Sequence, residues 1–176
     1  MLVEDSRIRI NAEGEECPVQ DLAVADRIFD PLTEGYDSII DIHRRRVQLC
    51  DQRSRALTPV LIEKGQLFSG APRHDLRLSP WQLVMMVERK RAANTPMGLS
   101  CYPAKDISND RIPVTGDITY YAIFFEGHRF LDVSGVLLKS YTLEETRHNW
   151  PRTRRGSPPA GGDPRARWVC LRALGA

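Results

Sequence analysis

Few residues in this chain carry chemistry on their own, and spacing decides what that chemistry is. Cysteines stand at positions 17, 50, 101 and 170, without metal-ligand spacing and without the pattern of a disulfide framework. They read as reduced thiols. Cys17 and Cys101 could serve as nucleophiles, but small buried hydrophobes are the better reading of both. His128 follows the Glu126-Gly127 turn. An imidazole there suits proton transfer near neutral pH, or it simply meets solvent or a nearby carbonyl. His74 and Asp75 are adjacent in sequence, which does not place their side chains face to face. The expected role of Asp75 is to accept backbone N–H groups in a turn. His43-Arg44-Arg45-Arg46 is a short basic run, suited to a solvated face or to contact with a phosphate or an acidic partner. There is no Gly-rich phosphate loop and no ladder of aromatic residues on which bases would stack. No cofactor and no metal ion is expected.

The elements that must position these groups are mostly strands. Arg7-Ile8-Arg9-Ile10 alternates polar and apolar residues before the turn-prone Asn11-Ala12-Glu13-Gly14. Further short runs follow at Ser38–Ile42, Pro59–Ile62, Leu76–Leu78 and Leu83–Val87, punctuated by Gly, Pro and Asp. The clearest strand is Asp117–Phe125, dense in β-branched and aromatic residues. Arg129–Val133 is expected to pair with it as a hairpin, and Ser134-Gly135 then turns the chain into Val136–Tyr141. Two segments suit short helices. Cys17–Leu22 places Pro18 near a first turn, and Thr142–Arg147 opens with the Thr142/Glu145 spacing of a capping box. Trp81, Met85 and Met86 are expected to fill core or interface gaps.

With 176 residues, 41% hydrophobic and 27% charged, the chain suits one domain or a domain with a tail, and disorder throughout is excluded. No apolar run approaches the roughly 20 residues that span a bilayer. The opening Met1-Leu2-Val3-Glu4-Asp5 is not a secretory signal, so a cytoplasmic location is expected.

The net charge of +2 conceals an asymmetry. Seven arginines and one acid lie from Arg147 onward, leaving 18 of the 25 bases and 22 of the 23 acids in residues 1–146, a net charge of −4. A mildly acidic body therefore carries a basic, Pro/Gly-rich extension over residues 147–176, read as a flexible linker. Arg152, Arg154, Arg155, Arg165, Arg167 and Trp168 are its candidate partner-binding residues, and Trp168-Val169-Cys170-Leu171 is apolar enough to dock on something.

Four segments, read in order, resemble the Hint domain, the Hedgehog/intein autoprocessing fold, in its short bacterial form. The stretch from Gly14-Glu15-Glu16-Cys17-Pro18-Val19 to Asp26-Arg27-Ile28 is similar to the family's "G-E-x-P-V-E-x-L-x-x-G-D-x-V". Pro72-Arg73-His74-Asp75-Leu76-Arg77-Leu78-Ser79-Pro80 is similar to "P-x-R-D-L-x-L-S-P-x-H", and Tyr102-Pro103-Ala104-Lys105-Asp106-Ile107 to "V-P-A-[RK]-x-L". Ile118-Thr119-Tyr120-Tyr121 through His128 to Ser140-Tyr141 follows "V-T-Y-[FY]-H-…-H-…-G-…-E-S-Y". The resemblance covers about residues 6–146. It implies an all-β disc of two intertwined, pseudo-symmetric β-subdomains, spanning residues 1–146.

The resemblance also implies a chemistry. A first-position Cys or Ser attacks its own upstream carbonyl, and a His in a Thr-x-x-His motif protonates the departing nitrogen. Here the first position falls on Met1, Thr-x-x-His on Ser79-Pro80-Trp81-Gln82, and a further family His on Ala122; His128 matches another family His. A thioether has no exchangeable proton, and an amide does not titrate near neutrality. With no upstream segment left to cleave, self-cleavage is not expected. The reading is a degenerate Hint scaffold that binds a protein partner through its β-body or basic tail. Hint autoprocessing with a missing or misassigned first residue is the enzyme alternative, and charge-driven association of the tail with nucleic acid ranks third.

Overall fold

A computed structural model of the chain describes residues 1–49, 54–67, 70–88, 98–110, 116–142, 145 and 168–169. Of the two nine-residue strands, Gly116–Phe124 is dense in β-branched and aromatic side chains, whereas Asp41–Leu49 carries the basic run Arg44-Arg45-Arg46 and is held by its pairing with the first. β1 spans Leu2–Val3, β2 Arg7–Arg9, β3 Glu16–Pro18, β4 Arg27–Asp30, β5 Gly35–Ser38, β6 Asp41–Leu49 and β7 Val60–Ile62. β8 spans Leu76–Leu78, β9 Leu83–Glu88, β10 Gly98–Pro103, β11 Gly116–Phe124, β12 Phe130–Val133, β13 Val136–Lys139 and β14 Trp168–Val169. A four-residue helix, α1, runs over Ala104–Ile107. Among the described residues no helix is long and apolar enough to cross a membrane.

Antiparallel pairing organises the strands into a sheet of order β6-β11-β1-β8-β7, a sheet of order β10-β9-β13-β12-β2-β3, and a separate β4-β5 ribbon. The chain passes repeatedly between the two larger sheets, so the all-β body is interleaved rather than built from successive halves. β11 pairs with β6 along its whole length, from Gly116 opposite Leu49 to Phe124 opposite Asp41. Alternate residues of β11 face opposite ways. Tyr121, Ile123 and Phe125 join the main core with Leu2, Ile8, Val84 and Leu138. Ile118, Tyr120, Ala122 and Phe124 join a second cluster with Met1, Val3, Val47 and Leu49.

The hairpin expected between Asp117–Phe125 and Arg129–Val133 does not form. β6 and β1 occupy the two edges of β11, leaving none for β12. β12 pairs instead with β13 and β2. The turn between β12 and β13 is two residues long, Ser134 at φ 54° and Gly135 at φ 89°, the geometry that matches the twist of a tight hairpin. Gly135 donates its N–H to Asp132 Oδ1 at 2.7 Å.

The expected strand over Ser38–Ile42 is broken. Ile39 donates its N–H to Asp26 O and Ile40 to Phe124 O, so the two residues step from the β5 ribbon into the larger sheet. Cys17 ends in β3 rather than a helix, and a 3-10 turn follows over Val19–Asp21. The Thr142/Glu145 box is present in both directions: Thr142 N–H donates to Glu145 Oε2 at 3.0 Å and Glu145 N–H to Thr142 Oγ1 at 3.3 Å. Met85 and Met86 are buried, but Trp81 is 38% exposed and lies beside Lys105, whose Nζ is 4.4 Å from the ring centre.

Candidate functional site

The site grows out of the narrow strand β1. Leu2 lies between Tyr121 of β11 and Leu78 of β8, which fixes Met1 at the head of three strands. The β8 side continues past its last residue, with Ser79 N–H donating to Met1 O at 3.0 Å. Pro80 then helps fold the chain back, and Gln82 N–H closes the turn on Ser79 O at 2.9 Å. The segment Ser79–Gln82 is thereby wrapped around the Met1 backbone.

Gln82 is 3% exposed and fully engaged. Its Oε1 accepts from the Met1 nitrogen at 2.5 Å, while Nε2 donates to Lys139 O at 2.9 Å and Leu83 O at 3.1 Å. Two carbonyl acceptors on one side of the amide settle which end is nitrogen, and so point the oxygen at Met1. Tyr141 completes the enclosure. Its hydroxyl accepts from the Met1 nitrogen at 2.9 Å and donates to Trp81 O at 3.3 Å. Burial, assisted by Glu145, pushes the Tyr141 phenol above its usual range. Burial also drives the Met1 amino group well below its usual value of 8.0, because an ammonium loses its hydration there.

Ala122 is 1% exposed and belongs to the same buried cluster as Met1. Beside it lies a cavity of about 10 Å³, about room for one water, lined by residues that include Gln82, Ala122, Ser140 and Tyr141. Ser79 is buried, with Trp81 N–H 3.4 Å from its Oγ. The arrangement around the first residue therefore consists of an amide, a phenol, a hydroxyl and a methyl. None of these carries a proton that moves near neutral pH.

The other sequence candidates lie elsewhere. His128 does not line this cavity; its Nε2 is 3.6 Å from Glu145 Oε1 on a side chain 41% exposed. Asp75 Oδ1 accepts the Lys64 N–H at 2.9 Å, a turn contact. Cys17 and Cys101 are free and half-buried, and burial pushes both thiols up. In the basic run, Arg46 is paired with Asp117 at 2.6 Å, the Arg44 guanidinium lies over the Tyr121 ring, and His43 Nε2 is 2.9 Å from Asp41 Oδ2. Arg152, Arg154, Arg155, Arg165 and Arg167 lie outside the described residues. The backbone of Trp168 pairs with β9. Among the described residues no group of three His, Cys, Asp or Glu side chains is placed to hold a metal ion.

Sequence reasoning missed two parts of the site: the Tyr141 hydroxyl and the Lys139 carbonyl. Tyr141 ends the fourth matched segment, which was the available signal. Its role depends on a parallel bridge that brings it beside Phe124. The Lys139 contact is made by backbone and leaves no trace in residue type.

The family model of the Hint domain matches residues 2–145. A search of curated proteins found no match to the chain. The match covers most of the chain, and the chain belongs to the Hint domain family.

Proposed function

We infer that this member of the Hint domain family is a scaffold that does not cleave itself and acts as a protein-binding module. The observation that carries the non-cleaving part of the reading is the Met1 nitrogen, held between Gln82 Oε1 and the Tyr141 hydroxyl. At the position from which an acyl shift would start, the attacking group is a thioether. Attack by that sulfur would leave a positively charged sulfonium with no proton to shed, so no neutral thioester can form. At the position that should protonate the departing nitrogen stands an amide, whose hydrogens are bonded to Lys139 and Leu83. An imidazole would offer a ring nitrogen that titrates near neutral pH; a carboxamide offers none.

The site is nevertheless kept in order. Among the described residues no buried side-chain nitrogen or oxygen lacks a hydrogen-bond partner. Gln82 has become a structural clamp joining β1 to the start of β9 and the end of β13. Its substitution preserves the fold and removes the proton donor. The reading places the chain in the cytoplasm, with Cys17 and Cys101 as reduced thiols.

The test is a fusion carrying a reporter ahead of Met1. Incubated with a thiol, the native sequence stays intact over hours, while M1C/Q82H supplies a nucleophile and an imidazole and releases the reporter at the junction. Release from the unsubstituted chain would show that autoprocessing survives and would sink the reading.

A further inference from the structure

We propose that Glu145 holds the Tyr141 ring over Met1 by charge, through Lys139 and His128, so that access to the first residue depends on ionic strength. The inference deepens the reading of the Met1 site and rests on it for the site's geometry.

Met1 is 6% exposed. Tyr141, itself half-buried, packs on the cluster that contains Met1, and its hydroxyl accepts from the Met1 nitrogen at 2.9 Å. The ring is therefore part of the cover over the first residue. The chain on either side of that ring is tied down. On one side, Ser140 donates its N–H to Arg129 O at 2.8 Å, and its hydroxyl accepts the Arg129 N–H at 2.8 Å. On the other, Thr142 and Glu145 are bonded to each other in both directions. Whatever fixes Glu145 thus fixes Thr142, the residue next to Tyr141.

What fixes Glu145 is charge. Its Oε2 accepts the Thr142 N–H, while its Oε1 lies 3.6 Å from His128 Nε2 and 3.7 Å from Lys139 Nζ. Both distances are too long for a good hydrogen bond, so the attraction is Coulombic. Lys139 brings an ammonium from the end of β13, and His128, just before β12, adds a second charge when it binds a proton. The same carboxylate helps to push up the Tyr141 phenol, which places the two within electrostatic reach. All three side chains of the cluster are partly exposed, so dissolved salt weakens the pairs. Each pair is worth little alone. The cover is correspondingly light, and a several-fold change in access follows from losing it.

The test is peroxide oxidation of the full chain, followed methionine by methionine by mass spectrometry. Hydrogen peroxide converts an accessible thioether to a sulfoxide and is itself uncharged. Met85 and Met86, buried away from the site, serve as internal controls. E145Q keeps a side-chain oxygen for the Thr142 N–H, as Gln does in a capping box, and removes only the charge. Met1 is expected to oxidise at least about threefold faster in E145Q than in the native chain, with Met85 and Met86 unchanged. K139M is expected to act in the same direction. About 0.5 M NaCl is expected to raise the native rate towards that of E145Q and to leave E145Q as it is. An unchanged Met1 rate in either variant overturns the inference. So does a rise shared by Met85 and Met86, which would mark loosening of the whole body, and so does a salt effect equal in native chain and E145Q. Reporter release in the fusion assay would sink the non-cleaving reading without altering which charge holds Tyr141, so the two failures are distinct.

Discussion

The Met1 nitrogen and the Gln82 side-chain carbonyl meet at 2.5 Å across 81 residues of sequence. The contact is possible because β1 is flanked by β11 and β8, and because Ser79–Gln82 curls back over the end of β8. One amide thus satisfies a buried donor on β1 and two carbonyls, one at the end of β13 and one at the start of β9. Where proton transfer would take place, the fold has a three-way hydrogen-bonded clamp.

Removing the clamp should cost stability. Gln82→Leu fills similar volume but leaves the Met1 nitrogen short of an acceptor and the Lys139 and Leu83 carbonyls short of a donor. Each buried polar group so stranded costs about 1–3 kcal/mol. An overall loss of about 3 kcal/mol or more is expected, seen as a lower urea midpoint with unchanged slope. A change under 0.5 kcal/mol would show that the contact is not maintained.

The buried amine gives stability a pH dependence of defined sign. The folded state holds the Met1 amino group neutral below 8.0, where the unfolded chain binds a proton. The unfolded state therefore carries the extra proton, and stability falls as the pH drops below about 8. For the chain beginning at Met1, the limiting slope is about 1.4 kcal/mol per pH unit for one proton. Urea unfolding between pH 6 and pH 8.5 measures it, and a flat profile there contradicts the burial.

Asp132 titrates in the opposite sense. It is 2% exposed, and burial pushes its carboxyl up despite Arg73, the Gly135 N–H and Arg9 nearby. The folded state keeps its proton above the usual 3.8, where the unfolded chain has lost it. Its contribution is fully present below 3.8 and is lost as the pH rises through the folded value. The stability difference between the native chain and D132N should therefore shrink or reverse with rising pH over the acidic limb. D132A, which also strands the Gly135 N–H, is expected to lose about 2–3 kcal/mol near neutral pH.

Restoring a histidine at position 122 should harm the fold. Ala122 is 1% exposed beside a cavity of about 10 Å³, far smaller than an imidazole. Overpacking of this kind costs about 1–3 kcal/mol. A122H is expected to melt about 2–12 °C lower, at roughly 2–4 °C per kcal/mol for a domain this size. An unchanged melting temperature would mean that the second cluster gives way easily.

Much of the fold was legible in local pattern. The run Asp117–Phe125 reads as a strand because its residues suit a pleated surface buried on both faces, and the structure has it one residue earlier, at Gly116–Phe124. The Ser134-Gly135 turn is legible because a two-residue hairpin favours residues tolerant of positive φ. Pairing was not legible in the same way. Arg129–Val133 lies close to β11 in sequence, but β11 already had both edges filled by strands from residues 2–3 and 41–49. Strand choice depends on which edges remain open, and that is settled by the whole chain. β1, β3, β4, β5, β10 and most of β6 were missed because mixed residues such as Gly35-Tyr36-Asp37-Ser38 or the basic run Arg44-Arg45-Arg46 carry weak strand signals and are held by their partners.

The site divides along the same line. Residue types alone established that a thioether, an amide and a methyl occupy the three positions set by the family pattern, because those groups have fixed chemical capacities wherever they lie. Only the folded chain determined that Met1 and Gln82 share a buried contact with Tyr141 while His128 stays beside Glu145. Contact across many tens of residues follows from sheet order and register, and neither is written in any short stretch of sequence.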